Sequence, residues 1–329
     1  VKTKTPLRTR LLAAATVFAI ATPGIAAAAE KLSVRLDLYP WGIHAAMHLA
    51  KQKKWFDEAG LDVDVQDGTG TIATLQMVAA GHVDVGQVQL GNMAIAAEGG
   101  LDLVSFAGFA RKGDLAVMVD AKSDAKTARD LANKKLVTFA TSPWAPFVKP
   151  YFKTAGADGS NVSMVSPTAM ISTYASGNAD GFMSLAPFGV PLTEKMRPSR
   201  AILLNDVGIA FPSFGLVTRP ETLAKRKETL TKFAQIQQRT WEYIYAGHID
   251  EAVDAIIAQR PNAKLDRTVL HEQIVQYRPF FDSPSGKNLR FGLQSDEDWQ
   301  QAIKSMKDAG ALKTGLQPGQ YYTNDLLLK

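Results

Sequence analysis

At 329 residues the chain is long enough for a full core, and a prior of roughly 100–200 residues per domain suggests two domains. With 46% hydrophobic and 21% charged residues it is not a disordered chain, and with no Cys it has no disulfide, thiol nucleophile, Cys-ligated zinc or iron–sulfur cluster. The formal charge of +5 falls to +1 (33 Lys and Arg against 32 Asp and Glu) once the four basic residues among the first ten are set aside; no basic stripe is visible, so no nucleic-acid partner is expected.

Lys2, Lys4, Arg8 and Arg10 form a basic head, followed by a short apolar run over 11–21. Pro23 and Gly24 break the run, and Ala26 to Ala29 supply small residues before Glu30. This is the layout of a secretory signal peptide over 1–29, cleaved near Ala29. The run is too short for the roughly 20 residues that span a bilayer. Thr9 separates Arg8 from Arg10, so general secretion is expected rather than a twin-arginine route, and no Cys follows for a lipid anchor.

Alternating apolar residues predict a strand over 32–38. Helical spacing from Ile43 predicts a helix that continues to Trp55-Phe56 and stops at Gly60. Strands are expected over 61–65, 83–88 and 101–106, with helices over 72–79 and 90–97 between them. The loop 109–114 reads as a crossing into a second α/β series. There, strands are expected over 115–119, 136–140, 162–165, 181–185 and 201–204, and helices over 127–132, 144–154 and 167–175. The apolar run 214–218 reads as part of a second crossing, over 209–218. From Pro220 the pattern is helical, with no element expected in the tail 313–329. Strand–helix alternation predicts mostly parallel sheets with right-handed crossovers. The expected architecture is α/β with two lobes joined by two crossings. Lobe 1 comprises 30–110 and 215–329, and lobe 2 comprises 111–214.

In open α/β sheets ligands bind beyond the carboxyl ends of the strands, so the loops there are the candidate site. After the first strand come Tyr39, Trp41 and His44, two aromatics for stacking and an imidazole for hydrogen bonding; the plainer alternative is a Pro-stiffened turn whose Trp packs on a helix. After the second come Thr69, Gly70 and Thr71, where backbone amides and hydroxyls favour an anionic or strongly polar group, or simply cap a helix. After the third come Gln87, Gln89 and Asn92, uncharged amides suited to a polar ligand. The equivalent edge of lobe 2 offers Ser142, Trp144, Ser184 and Pro187. His44 and His48 share a helix face, but no Glu-x-x-His surrounds them, so no metal is expected. Asp114, Asp120 and Asp124 read as a solvated loop face rather than a calcium site. No Gly-x-Ser-x-Gly elbow, His-Glu-x-x-His motif, phosphate-binding loop or dinucleotide fingerprint is present, and neither a cofactor nor catalysis is expected.

Three segments carry a resemblance. They are Leu36 to Ala45, Lys53-Lys54-Trp55-Phe56 through Gly60-Leu61-Asp62-Val63, and Leu75 through Ala79-Ala80-Gly81-His82-Val83-Asp84-Val85-Gly86. Together they resemble periplasmic solute-binding proteins of the nitrate/sulfonate/taurine and thiamine-pyrimidine (NMT1/THI5-like) family, and Ala175 to Gly181 is similar to a later segment of that family. The resemblance implies a bilobed type II periplasmic binding protein. It would be a monomer that delivers a small-molecule ligand to an ABC permease in the inner membrane, with the loops above lining the cleft. The aromatic lining points to an aromatic or heterocyclic ligand, or one of sulfonate type. Fungal relatives that make the thiamine pyrimidine carry a Cys-rich iron motif that this chain does not have, so binding is expected ahead of an enzyme. A ligand-sensing subunit of a membrane receptor is the third reading.

Overall fold

The computed structural model describes residues 1–3 and 28–329, so the expected signal segment falls almost wholly outside the described residues. Among the described residues, ten strands form two five-stranded sheets. The first contains β1 (Glu30–Leu36), β2 (Leu61–Gln66), β3 (Val85–Gln89) and β4 (Val104–Gly108), and the second contains β5 (Leu115–Asp120), β6 (Leu136–Thr138), β7 (Val162–Met164), β8 (Gly181–Leu185) and β9 (Ser199–Leu203). The last strand, β10 (Phe214–Thr218), returns to the first sheet, giving the orders β2-β1-β3-β10-β4 and β7-β6-β8-β5-β9.

Five elements differ from expectation. The run 214–218 is not a linker. It is wholly buried and pairs antiparallel with both β3 and β4, and its largely apolar sequence is what a strand covered on both faces requires. β5 likewise runs antiparallel to β8 and β9, so each sheet is mixed. The helix expected from Ile43 to Phe56 is three pieces, Gly42–His44, Ala45–Gln52 and Trp55–Glu58, because Lys54 takes a left-handed conformation at φ 59°. An unanticipated helix, Ala186–Thr193, follows β8 with Pro187 in its first turn, and the tail contains the short helix Pro318–Tyr321.

Helices Lys227–Tyr245 and Ile249–Gln259 cover Ala45–Gln52 on the first sheet. Helix Arg267–Tyr277 packs on Ile249–Gln259 and also on Ala186–Thr193, so it touches both lobes. The chain passes between the sheets at 109–114 and again at 208–213.

Two buried charges sit in the first passage. The Arg111 guanidinium is saturated by backbone carbonyls of Phe281, Gly286, Leu289, Arg290 and Leu293, which clamps the segment 281–293 over the crossing. Asp114 is fully buried, not part of a solvated loop face. Its carboxylate accepts from Gln89 Nε2 (2.7 Å), Ser213 Oγ (2.6 Å) and the Tyr277 hydroxyl, and its backbone carbonyl accepts from Ala186 N (2.9 Å).

Two outcomes are expected. Arg111→Ala removes the donor to five carbonyls, of which Gly286 and Arg290 keep a backbone N–H, and should lower the unfolding free energy by about 3 kcal/mol or more. Chemical denaturation reads this directly, and a loss below about 1 kcal/mol contradicts the clamp. Burial pushes the Asp114 carboxyl up to about 6 against the pull of its three donors. A carboxyl whose folded pKa is raised stabilises the fold fully below its unfolded value near 4, and that contribution is lost as pH rises through about 6. Between those values wild type should lose stability relative to Asp114→Asn, on the order of 3 kcal/mol, and the gap should stay level above about pH 7. A gap that ignores pH contradicts this.

Candidate functional site

The carboxyl edges of β1, β2 and β3 face the second lobe across closed jaws. Gly70 takes φ 133°, and a Cβ there would collide with the Thr141 carbonyl oxygen, so only glycine fits this approach. Thr141 Oγ1 donates to the Thr69 carbonyl (2.5 Å), and Asn92 Nδ2 donates to the Pro143 carbonyl (3.0 Å). Gln273 spans the lobes as well: its Oε1 accepts from Gly42 N (3.0 Å), and its Nε2 donates to the Phe188 carbonyl (3.2 Å).

Four of the expected residues carry buried polar atoms with no protein partner, namely Thr71 Oγ1, Gln87 Oε1, Gln89 Oε1 and Asn92 Oδ1. Such atoms cost about 1–3 kcal/mol each when left unpaired; others occur elsewhere in the molecule, among them Tyr151, Tyr174 and Trp241, and these four share the strand ends of the first sheet. The orientation of the three amides is fixed. Gln87 Nε2 donates to the Ile43 carbonyl (2.8 Å), Asn92 Nδ2 to the Pro143 carbonyl, and Gln89 Nε2 to Asp114 and Ser213. Carbonyls and carboxylates only accept, so each amide nitrogen is spoken for and each amide oxygen is left over.

Trp41 is buried and meets four rings edge-on: His44 (5.7 Å), Phe188 of the second lobe (5.2 Å), Phe214 (5.6 Å) and Tyr277 (5.6 Å). Tyr39 lies 6.0 Å from Phe188, and burial with the nearby Asp37 charge pushes its hydroxyl up to about 12, so it stays neutral. His44 has neither ring nitrogen free. Nε2 bonds Asp37 Oδ1 (2.9 Å) and Nδ1 accepts from Trp41 N (3.3 Å), so the imidazole buttresses the aromatic loop. His48 bonds Gln259 (3.0 Å), and burial pulls its pKa down to about 3. No group of three or more His, Cys, Asp and Glu is placed to hold a metal among the described residues.

In the second lobe Trp144 sits in the interior against Tyr151, its Nε1 donating to the Ser184 carbonyl (2.7 Å) while its backbone N donates to Ser142 Oγ (3.2 Å). Ser142 and Ser184 therefore hold Trp144, and the jaws are met by Thr141, Pro143 and Phe188 instead. Pro187 is buried at the start of the helix that presents Phe188. Asp37, Ser213, Gln273 and Tyr277 were not singled out from the sequence, and Asp114 was read as solvated. Asp37 alone carried a local signal, an acid in an apolar strand end; the others become visible only once distant segments meet.

Charge in the cleft is one-sided. Asp37 and Asp114 are buried there, whereas Arg111, the single buried Lys or Arg among the described residues, is consumed by its carbonyls.

The fold recurs in solved binding proteins. The alkanesulfonate-binding protein of Xanthomonas axonopodis pv. citri, bound to MOPS, aligns with a TM-score of 0.67 at 14% identity, over 92% of this chain and 99% of that one. The nitrate-binding protein of Synechocystis aligns with a TM-score of 0.64 at 13% identity, over 91% and 87%. In sequence, a formylaminopyrimidine-binding protein of Halalkalibacterium halodurans is 23% identical over 282 residues, 84% of each chain. The family model described as NMT1/THI5 like matches residues 41–250. With its two mixed sheets, its paired crossings and this match, the chain has the periplasmic-binding-protein fold and belongs to the NMT1/THI5-like family.

Proposed function

We propose that this protein is the periplasmic solute-binding component of an ABC importer, and that it captures a small, flat heterocycle bearing N–H donors. The observation that carries the reading is the set of leftover oxygens on Gln87, Gln89 and Asn92, joined by the Thr71 hydroxyl. A ligand that satisfies them brings hydrogens, as an aminopyrimidine does. A sulfonate or nitrate brings only acceptors and a negative charge into a cleft whose buried charges are Asp37 and Asp114, so anionic ligands are disfavoured. Tyr39, Trp41 and Phe188 offer ring faces and edges for a planar body, and a ligand seated between them would hold the two lobes together. The name of the Halalkalibacterium relative agrees with this class. Nothing in the site supplies an activated nucleophile or a general acid–base pair, so the reading is binding and closure without turnover.

Thermal-shift screening of the protein from Glu30 onward checks it. An aminopyrimidine at about 100 times its Kd should stabilise by about 2.7 kcal/mol and raise the melting midpoint, whereas sulfonates and nitrate should leave it unmoved. A shift confined to sulfonates contradicts the reading. Gln87→Leu should weaken aminopyrimidine binding roughly tenfold, and because it also takes the donor from the Ile43 carbonyl it should lower the unliganded midpoint.

A further inference from the structure

Three amides at the carboxyl edge of the first sheet have an oxygen without a protein partner, and two of them are held by backbone carbonyls, of Ile43 and Pro143, which no side-chain substitution can change. Gln89 differs. Its nitrogen is held by side chains, Asp114 Oδ1 at 2.7 Å and Ser213 Oγ at 3.0 Å, while its oxygen has no partner. Ser213 does not decide the orientation by itself, because a hydroxyl donates or accepts as its neighbours require. Its hydrogen goes to Asp114 at 2.6 Å, and the Tyr277 hydroxyl also donates to the same carboxylate. Every group around Asp114 thus points a hydrogen at it, and the Gln89 amide has one arrangement that fits.

We infer that Asp114 is a positioning residue for ligand selectivity: by holding the Gln89 amide nitrogen it turns the Gln89 oxygen toward the ligand, so that this point of the cleft selects a donor over an acceptor. Asp114 lies at the crossing and need not touch the ligand. The inference rests on the reading that the cleft takes N–H donors, and it adds the residue that sets this polarity at Gln89. In Asp114→Asn the side chain is nearly the same size but offers N–H on one side. When that new amide donates toward Gln89, the Gln89 amide turns over, accepts with its oxygen and presents NH2 to the cleft.

Two measurements test this on the protein from Glu30 onward, at about pH 8, above the raised Asp114 titration. The first needs no ligand. With ¹⁵N-labelled glutamine side chains, and Gln89→Leu to identify the signal, the Gln89 NH2 protons of wild type should exchange with water at least roughly tenfold more slowly than those of an exposed glutamine. Exchange as fast as an exposed glutamine overturns the inference, and this arm holds even if the variant folds poorly. The second is calorimetric titration of wild type and Asp114→Asn with 4-aminopyrimidine and pyrimidin-4-one, close isosteres with donor and acceptor exchanged. Wild type should prefer the amino compound by roughly tenfold or more, and Asp114→Asn should bring the ratio near or below one. A purely structural Asp114 would weaken both and keep the ratio, which overturns the inference. Wild type preferring the oxo compound instead contradicts the donor-ligand reading, and the exchange rate then decides the orientation of the Gln89 amide separately.

Discussion

A carboxylate buried without a cation is costly, and Asp114 is tolerated because three donors from three separate parts of the chain converge on it. Gln89 comes from the end of β3, Ser213 from the second passage between the sheets, and Tyr277 from the end of helix Arg267–Tyr277. Asp114 itself ends the first passage, one residue before β5. One charge therefore ties both passages to the first sheet and to the helix that touches both lobes. Arg111, three residues earlier, performs the complementary task with carbonyls of the segment 281–293. The hinge is held by two buried ions of opposite sign that do not pair with each other. Each is satisfied by neutral groups whose orientation it dictates.

That dictated orientation connects fold to ligand. A glutamine in water is indifferent to which end of its amide it presents, but beside an acceptor-only neighbour it is not. The partnerless oxygens of Thr71, Gln87, Gln89 and Asn92 lie at strand ends of the first sheet, and the second lobe meets that edge with backbone carbonyls at Thr141 and Pro143 and the ring of Phe188. The lobes also make direct contacts with each other, from Thr141 to Thr69 and from Gln273 to Phe188.

Much of the fold was legible in the sequence because its signals are local. Pro167–Ala175 and Gly181–Leu185 match the predicted spans to the residue, since a Ser-Pro start, helical spacing and a glycine boundary lie within a few positions of each other. The direction and place of β10 were not legible, as a five-residue apolar run is the same whether it links lobes or lies inside a sheet. For the candidate site, the strand-end positions of Thr71, Gln87, Gln89 and Asn92 were legible locally, whereas their partnerless atoms were not. Trp144 was misplaced because an aromatic in a loop has no mark telling cleft from core. Asp114 was misread as solvated because its neighbours Lys112 and Gly113 are polar, while its partners Ser213 and Tyr277 lie 99 and 163 residues away. His44 looked free for the same reason, its partner Asp37 being hidden in a strand pattern.

The central claim is that the leftover oxygens of the first lobe are satisfied by hydrogens of a bound heterocycle. A crystal structure of the protein grown with 4-aminopyrimidine tests it most directly. The account predicts ring density at the carboxyl edge of the first sheet, beside Trp41 and Phe188, with ligand nitrogens within about 2.7–3.2 Å of at least two of Thr71 Oγ1, Gln87 Oε1, Gln89 Oε1 and Asn92 Oδ1. A ligand bound elsewhere, or bound there with its nitrogens turned from all four oxygens, would contradict it.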